Sequence, residues 1–249
     1  DAVLIDSLKK KHSVTKHWCS KANIQSLDKE DLLIISNFVT LPTPIHRHLS
    51  DKKYIIYEHD HKYTKMRDVS KYSNFDIPKD QLIHRDFYLN ADKVVVLSAI
   101  CKDILEKNNI SDKVYNIGCS LWFDETLDRL GELSITKKKF KYAVVDNQNP
   151  IKGLDKSLKY CSAHGIKPHM IKSNDYYNFL KQLSECENLI FFPQVLETYS
   201  RLAAEAKMLN CNLITTPNML GFASEPYSSL KGDQLIEKIR SQKNKALKM

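Results

Sequence analysis

The stretch "NLIFFPQVLETYSRLAAEAKMLNCNLITT", residues 188–216, decides the class of fold. It opens on a short apolar run that Pro193 ends, because proline cannot donate to a strand ladder. A loop follows, and then "RLAAEAKML", made of strong helix formers with no glycine or proline. Ser200, just before it, is a favoured N-cap residue. A second apolar run, "CNLITT" (211–216), comes directly after the helix. Strand, helix and strand in this order, each apolar nearly throughout, form the unit of a parallel sheet covered on both faces. The stretch also carries two acids, Glu197 in the loop and Glu205 inside the helix, with seven residues between them.

The same alternation extends through the chain. "DLLIISNF" (31–38), "KYIIYEHD" (53–60), "DKVVVLS" (92–98), "KVYNIG" (113–118), "FKYAVVDN" (140–147) and "KPHMIK" (167–172) read as further buried strands. Helices are expected over 100–108, 153–164, 175–186, 200–209 and 232–248. The alternation breaks in "GCSLWFDETLDRLGELSITKKK" (118–139), which ends in charge and then restarts with a strand. The expected organisation is therefore a lobe over 1–122, a linker over 123–138 and a second lobe over 139–249. Both lobes are expected to be Rossmann-like and doubly wound, facing each other across a cleft lined by the carboxyl ends of their strands. The opening is unusual: "DAVLIDSLKK" reads as a helix and "KHSVTKHW" as the strand after it, whereas such lobes ordinarily begin on a strand and a glycine-rich turn. With only six glycines in the chain, either the beginning of the first lobe is missing or the lobe is abbreviated.

Composition excludes several classes. With 42% hydrophobic and 27% charged residues the chain is globular, and no apolar run approaches the roughly 20 residues that cross a bilayer. The first residues lack the layout of a secretion signal. Six cysteines without a C-x-x-C pair fit isolated thiols in a reducing compartment, so the cytoplasm is expected. The net charge of +8 comes from scattered lysines, which argues against nucleic acid as a partner. No G-x-G-x-x-G or P-loop is present, which removes the main support for dinucleotide dehydrogenases and P-loop NTPases. His46, His48, His59 and His61 lack a paired carboxylate motif, and no D-x-D occurs, so no metal is expected.

The helix opening at Ser200 presents unpaired amides and a partial positive charge, which suits an anion. A carboxylate repels phosphate, so Glu197 and Glu205 suit neighbouring hydroxyls instead. An anion site flanked by two hydroxyl readers describes a sugar, a diphosphate and a ribose, the parts of a nucleotide sugar.

On these residues the chain resembles retaining glycosyltransferases of the GT-B fold, the large GT4 type with its E-x7-E segment. The resemblance implies that Glu197 contacts donor-sugar hydroxyls and Glu205 the ribose, while the amides around Thr198, Tyr199, Ser200 and Arg201 hold the diphosphate. "YAVVDNQNPIKGLDKSLKYC" (142–161) resembles the family's "KG" helix start. There Lys152 would neutralise the leaving diphosphate, with Asn147 and Gly153 beside the donor. The arginine that usually precedes this lysine is replaced by Asp146 to Asn149, and Arg201 is the residue placed to substitute for it. "KYIIYEHDHKY" (53–63) sets His59 after a buried strand, where the family's histidine faces the donor sugar. "DKVVVLSAICKDIL" (92–105) is similar to a run late in the family's first lobe, with Ser98 at the strand end.

The implied activity is metal-independent transfer of a hexose-type sugar from a nucleoside diphosphate such as UDP or GDP to an acceptor hydroxyl, with retention of configuration. His59, Lys152 and Glu197 would carry the chemistry, without a further cofactor. The acceptor is a glycan, a lipid-linked molecule or a protein, recognised by the first lobe, whose Lys- and His-rich segments also suit peripheral contact with a membrane. Two other readings stand beside it. One is a catalytically silent protein that binds a sugar or nucleotide; the other is a nucleotide-sugar epimerase.

Overall fold

Eight short strands pair in parallel, four in each of two sheets, in a computed structural model that describes residues 1–248. The chain divides into two units, Asp1–Gly118 and Cys119–Lys248. Eight of the nine strands read from the sequence are present, and the protein is an α/β chain with a Rossmann-like arrangement of parallel strands and helices.

The first unit runs through α1 (Ala2–Lys9), α2 (Ile24–Leu27), β1 (Leu33–Ile35), α3 (Thr43–Leu49), β2 (Tyr54–Tyr57), α4 (Arg85–Asn90), β3 (Lys93–Val96), α5 (Ala99–Lys107) and β4 (Val114–Asn116). Its strands lie in the order β1-β2-β3-β4, the order of the chain. Double winding requires a reversal of that order, and this sheet has none among the described residues. Each crossover steps the same way, so right-handed connections return on one face. That face, with Ile35, Tyr54, Ile56, Val94 and Val96, is buried. The registers Ile34↔Ile55 and Val95↔Tyr115 place these four residues on the other face, where Ile34 is 40% and Tyr115 41% exposed.

"KHSVTKHW" forms no strand. Residues 12–18 run mostly exposed over the surface, with His17 bonded to Glu30 at 2.9 Å and the Lys16 ammonium 4.4 Å from the Trp18 ring centre. Only Val14 and the terminal Trp18 offer strand-forming apolar side chains among the lysines and histidines, and they are too few to seat a strand on a sheet.

The second unit contains α6 (Asp124–Ser134), β5 (Phe140–Val145), α7 (Leu154–Ala163), β6 (His169–Ile171), α8 (Tyr176–Ser184), β7 (Cys186–Ile190), α9 (Arg201–Met208), β8 (Asn212–Ile214) and α10 (Gly232–Ala246). Most of the segment expected to link two lobes, 123–138, is thus helix α6, inside this unit. Arg240 and Lys243 of α10 clamp its first turn, reaching Asp124 at 2.8 and 2.6 Å. The acid also sits at the positive end of the α6 dipole.

Strand order here is β6-β5-β7-β8, and this sheet is doubly wound. From β5 the chain steps to β6 on one side, whereas from β7 it steps to β8 on the other. Right-handed crossovers then put α7 on one face and α8 with α9 on the opposite face. The packing agrees: α7 buries Leu154, Tyr160 and Cys161 against Tyr142, Val144, Ile190 and Phe192, while α6, α8 and α9 pack on one another. The carboxyl ends of β5 and β7 therefore form a topological switch point, the place where open parallel sheets bind ligands.

One ammonium fixes the far ends of two helices. Lys138 Nζ donates to the Ser184 carbonyl of α8 at 2.8 Å and to the Leu209 carbonyl after α9 at 2.6 Å. Burial holds its pKa below the ordinary lysine value, and both bonds satisfy helix-end carbonyls that have no partner within their helices. Lys138→Met is expected to destabilise this unit by about 2 kcal/mol, whereas Lys137→Met, at an exposed position, should change it little. Urea unfolding read from Trp122 fluorescence in a Trp18→Phe background measures the difference.

Candidate functional site

The loop leaving β5 and the loop leaving β7 meet at the switch point. After β5 the chain turns through two successive Asx turns, with Asn147 Oδ1 accepting from the Asn149 amide at 2.9 Å and Asn149 Oδ1 from the Ile151 amide at 3.2 Å. Asn147, expected beside the donor, thus uses its carbonyl oxygen to shape the loop. A short 3₁₀ turn, Pro150–Lys152, then delivers Lys152 and Gly153 to the start of α7.

Gly153 sits where no other residue fits. Its φ is +67°, and a Cβ there would lie 1.7 Å from the Phe192 carbonyl oxygen. The α7 start therefore passes against the end of β7 at backbone contact distance. Ser157 stitches the approach, donating to the Gly153 carbonyl at 3.0 Å and accepting from the Phe192 amide at 3.2 Å. The Gln194 amide donates to the Ile151 carbonyl at 2.8 Å, joining the two loops.

This approach brings Lys152 to Glu197, with Nζ 2.7 Å from Oε1. The two residues lie 45 positions apart in the chain, and the resemblance assigned them to different parts of a donor, Lys152 to its diphosphate and Glu197 to its sugar. Glu197 is held through its backbone: its amide donates to the Met219 carbonyl at 3.0 Å, and its carbonyl accepts from the Gly221 amide at 2.8 Å. Thr198 beside it is half-buried. Tyr199 belongs to the core, 2% exposed, with its hydroxyl 3.0 Å from that of Tyr227 and its ring edge-on to Trp122 and Phe222. Its side chain is closed to any ligand, which leaves only its backbone at the site.

Ser200 is the most unusual residue of the group. Its backbone is left-handed, with φ 71° and ψ 85°, a conformation that a residue with a side chain rarely takes without a reason. It is 4% exposed, its side chain caps no amide of α9, and its Oγ is buried with no hydrogen-bond partner. A buried hydroxyl left unsatisfied costs about 1–3 kcal/mol, and the first amides of a helix lack intrahelical partners. Both sets of donors lie at the positive end of α9.

Glu205 lies inside a cage. It is 3% exposed, and its Oε1 accepts from Trp122 Nε1 at 2.8 Å, from the Tyr176 hydroxyl at 2.6 Å and from Arg201 at 3.4 Å. Among the described residues no donor reaches Oε2. Burial, with the Glu205 carboxylate adding to it, raises the Tyr176 phenol pKa, so this hydroxyl stays a donor. Arg201 closes the cage: its guanidinium lies 4.6 Å over the Trp122 ring and donates also to the Leu121 carbonyl and the Tyr176 oxygen. That guanidinium is occupied in fixing Glu205, the work of a positioning residue. Trp122 and Tyr176 were not marked by the sequence reading. Trp122 lies just before the stretch read as a linker, and its apolar neighbours in "SLWF" were the only trace of its burial.

His59 stands in the first unit, after β2, with Nε2 3.2 Å from Asp1 Oδ1. Burial first, then the Lys62 ammonium, push its pKa from the ordinary 6.5 down to about 4, against the opposing pull of Glu58 and Asp60. Lys62 and Glu58 form a fully buried pair at 3.0 Å that anchors this loop. Among the described residues no three His, Cys, Asp or Glu side chains gather as a metal site needs, and no helix is long and apolar enough to cross a membrane. The six cysteines are free thiols. No known protein-family model and no curated protein matches the chain.

Two measurements probe this geometry. Gly153→Ala should cost about 4 kcal/mol or more, since it combines backbone strain with a clash against backbone. Gly165→Ala, at a similar φ of +63° but with open space around it, should cost about 1 kcal/mol; chemical denaturation of the two variants gives the contrast. For His59, the depressed pKa means that the unfolded chain binds the proton first. Its contribution to stability is complete above pH 6.5 and is lost as pH falls toward about 4. His59→Gln should remove that part of the pH dependence, and an NMR titration should place the imidazole midpoint near 4.

Proposed function

We propose that the second unit binds the nucleoside-diphosphate part of a sugar donor, and that the chain is a metal-independent retaining glycosyltransferase of the GT-B type. The observation that carries this reading is the unpartnered buried Ser200 hydroxyl at the uncapped start of α9, set at the switch point of a doubly wound sheet. A diphosphate there accepts from Ser200 Oγ and from the first α9 amides. The order of the residues, with the E-x7-E segment after the "KG" helix start, supports the family reading.

Each remaining residue has a part in it. Lys152 turns from Glu197 to the diphosphate and takes up charge as the leaving group departs. The exchange costs little, since a partly exposed ion pair is worth about 0–1 kcal/mol. Glu197, once released, accepts from a hydroxyl of the transferred sugar. The open Oε2 of Glu205 accepts from the ribose, and its saturated Oε1 keeps the carboxylate from turning. In the transfer, the bond from the sugar's anomeric carbon to the phosphate oxygen breaks and a bond to the acceptor oxygen forms on the same face. The acceptor's proton passes to the departing phosphate.

A second reading, a nucleotide-binding protein without turnover, is favoured by one observation. Asp146 to Asn149 provide no cation beside Lys152, and the Arg201 guanidinium is committed to Glu205, Trp122 and Tyr176. Turnover separates the two. Thermal unfolding with UDP, GDP, ADP and their sugars should show stabilisation by at least one nucleotide, unchanged by EDTA. A transferase then releases free nucleotide from the matching donor, and Lys152→Ala lowers that rate at least about a hundredfold. Stabilisation without release selects the silent binder, and no stabilisation by any nucleotide overturns both readings.

A further inference from the structure

Tyr176 is fixed and yet open. Its hydroxyl donates to Glu205 Oε1 at 2.6 Å and lies 3.3 Å from Arg201 Nη2, so the ring is held at one end. The residue as a whole is 37% exposed at the first position of α8, just past the carboxyl end of β6. Tyr177, the next residue, is more exposed at 49%, but no hydrogen bond fixes its ring among the described residues. Tyr176 therefore offers an aromatic surface whose orientation is set before any ligand arrives.

Its place follows from the carboxylate it touches. Oε1 of Glu205 is filled by Trp122, Tyr176 and Arg201, while among the described residues no donor reaches Oε2. A ribose hydroxyl bound at Oε2 stands beside the phenol oxygen, and the base joined to that ribose lies about one ring away. We propose that Tyr176 is the platform on which the nucleobase of the donor stacks, which makes the nucleoside end of the ligand, and not its diphosphate alone, a determinant of affinity. The inference rests on the donor-binding reading of this same site. Pinning the ring through its hydroxyl lowers the ordering cost of the stack, and Arg201, whose side chain is 45% exposed, adds a cation at the rim.

Calorimetric titration with inorganic pyrophosphate and with UDP, GDP and ADP tests this on the whole chain. In the wild type the best nucleotide should bind at least about tenfold more tightly than pyrophosphate. Tyr176→Ala and Tyr176→Leu should each lose about tenfold or more in nucleotide affinity while pyrophosphate binding is unchanged. Tyr176→Phe, which keeps the ring, should retain most of the nucleotide affinity. Unchanged pyrophosphate binding also certifies the fold of each variant, and Leu keeps bulk at the site should Ala fail to fold. Wild-type nucleotide affinity in Tyr176→Leu, or nucleotides no tighter than pyrophosphate in the wild type, overturns the platform and leaves the diphosphate site standing. If neither pyrophosphate nor any nucleotide binds, the donor-binding reading falls and the platform with it.

Discussion

The second unit depends on a contact between two stretches of backbone. Gly153 and the Phe192 carbonyl approach so closely that a single methyl group would separate them, and this closeness holds the loops from β5 and β7 together. Lys152 and Gln194 stand directly beside the contact, and Glu197 and Ser200 follow three residues or more along the same loop. Parallel strands do not by themselves bring their exit loops together, since each crossover leads its loop toward its own helix. At the switch point the two helices depart on opposite faces and a crevice opens. Gly153 sets how wide it is.

Charge at this crevice is arranged in two ways. Lys152 and Glu197 are partly exposed and satisfy each other, a pairing that solvent screening keeps weak and that a ligand can take apart. Glu205 is treated differently: three side chains from separate elements fill one of its oxygens, and among the described residues no donor reaches the other. A buried carboxylate needs such partners to remain in a low-dielectric setting. The result is one acid paired with a single cation and one acid held by three donors, on either side of a helix end where the buried Ser200 hydroxyl has no hydrogen-bond partner.

Much of this arrangement could be read from residues alone. Strands covered on both faces announce themselves as unbroken apolar runs, and α9, with its serine before it and its lack of glycine, followed from local preference. Other elements were hidden. The helix α3 carries Pro44, His46 and His48, which mask its pattern, and α6 lies in a stretch that opens on "GCSLWF" and closes on a run of lysines, which reads as a break between lobes. Strand order was out of reach in the first unit, because periodicity shows which residues are buried and not to which side a crossover returns. In the site, Lys152, Glu197, Ser200 and Glu205 were visible as chemistry. The cage around Glu205 was not, since Trp122 lies 83 and Tyr176 29 positions away and each contact exists only after folding.

The two strand orders also imply different histories of assembly. In the first unit every strand finds its neighbour in the next strand of the chain, so the sheet can grow one crossover at a time with small loop-closure cost. In the second unit β5 is central and must wait for β7, with Phe140 meeting Cys186 only after α7, β6 and α8 have been made. Until β7 inserts between β5 and β8, Gly153 has no carbonyl to pass and Lys152 no acid to meet. The crevice at this switch point thus needs the longest-range strand pairing of the sheet, and its completion reports that the sheet has closed.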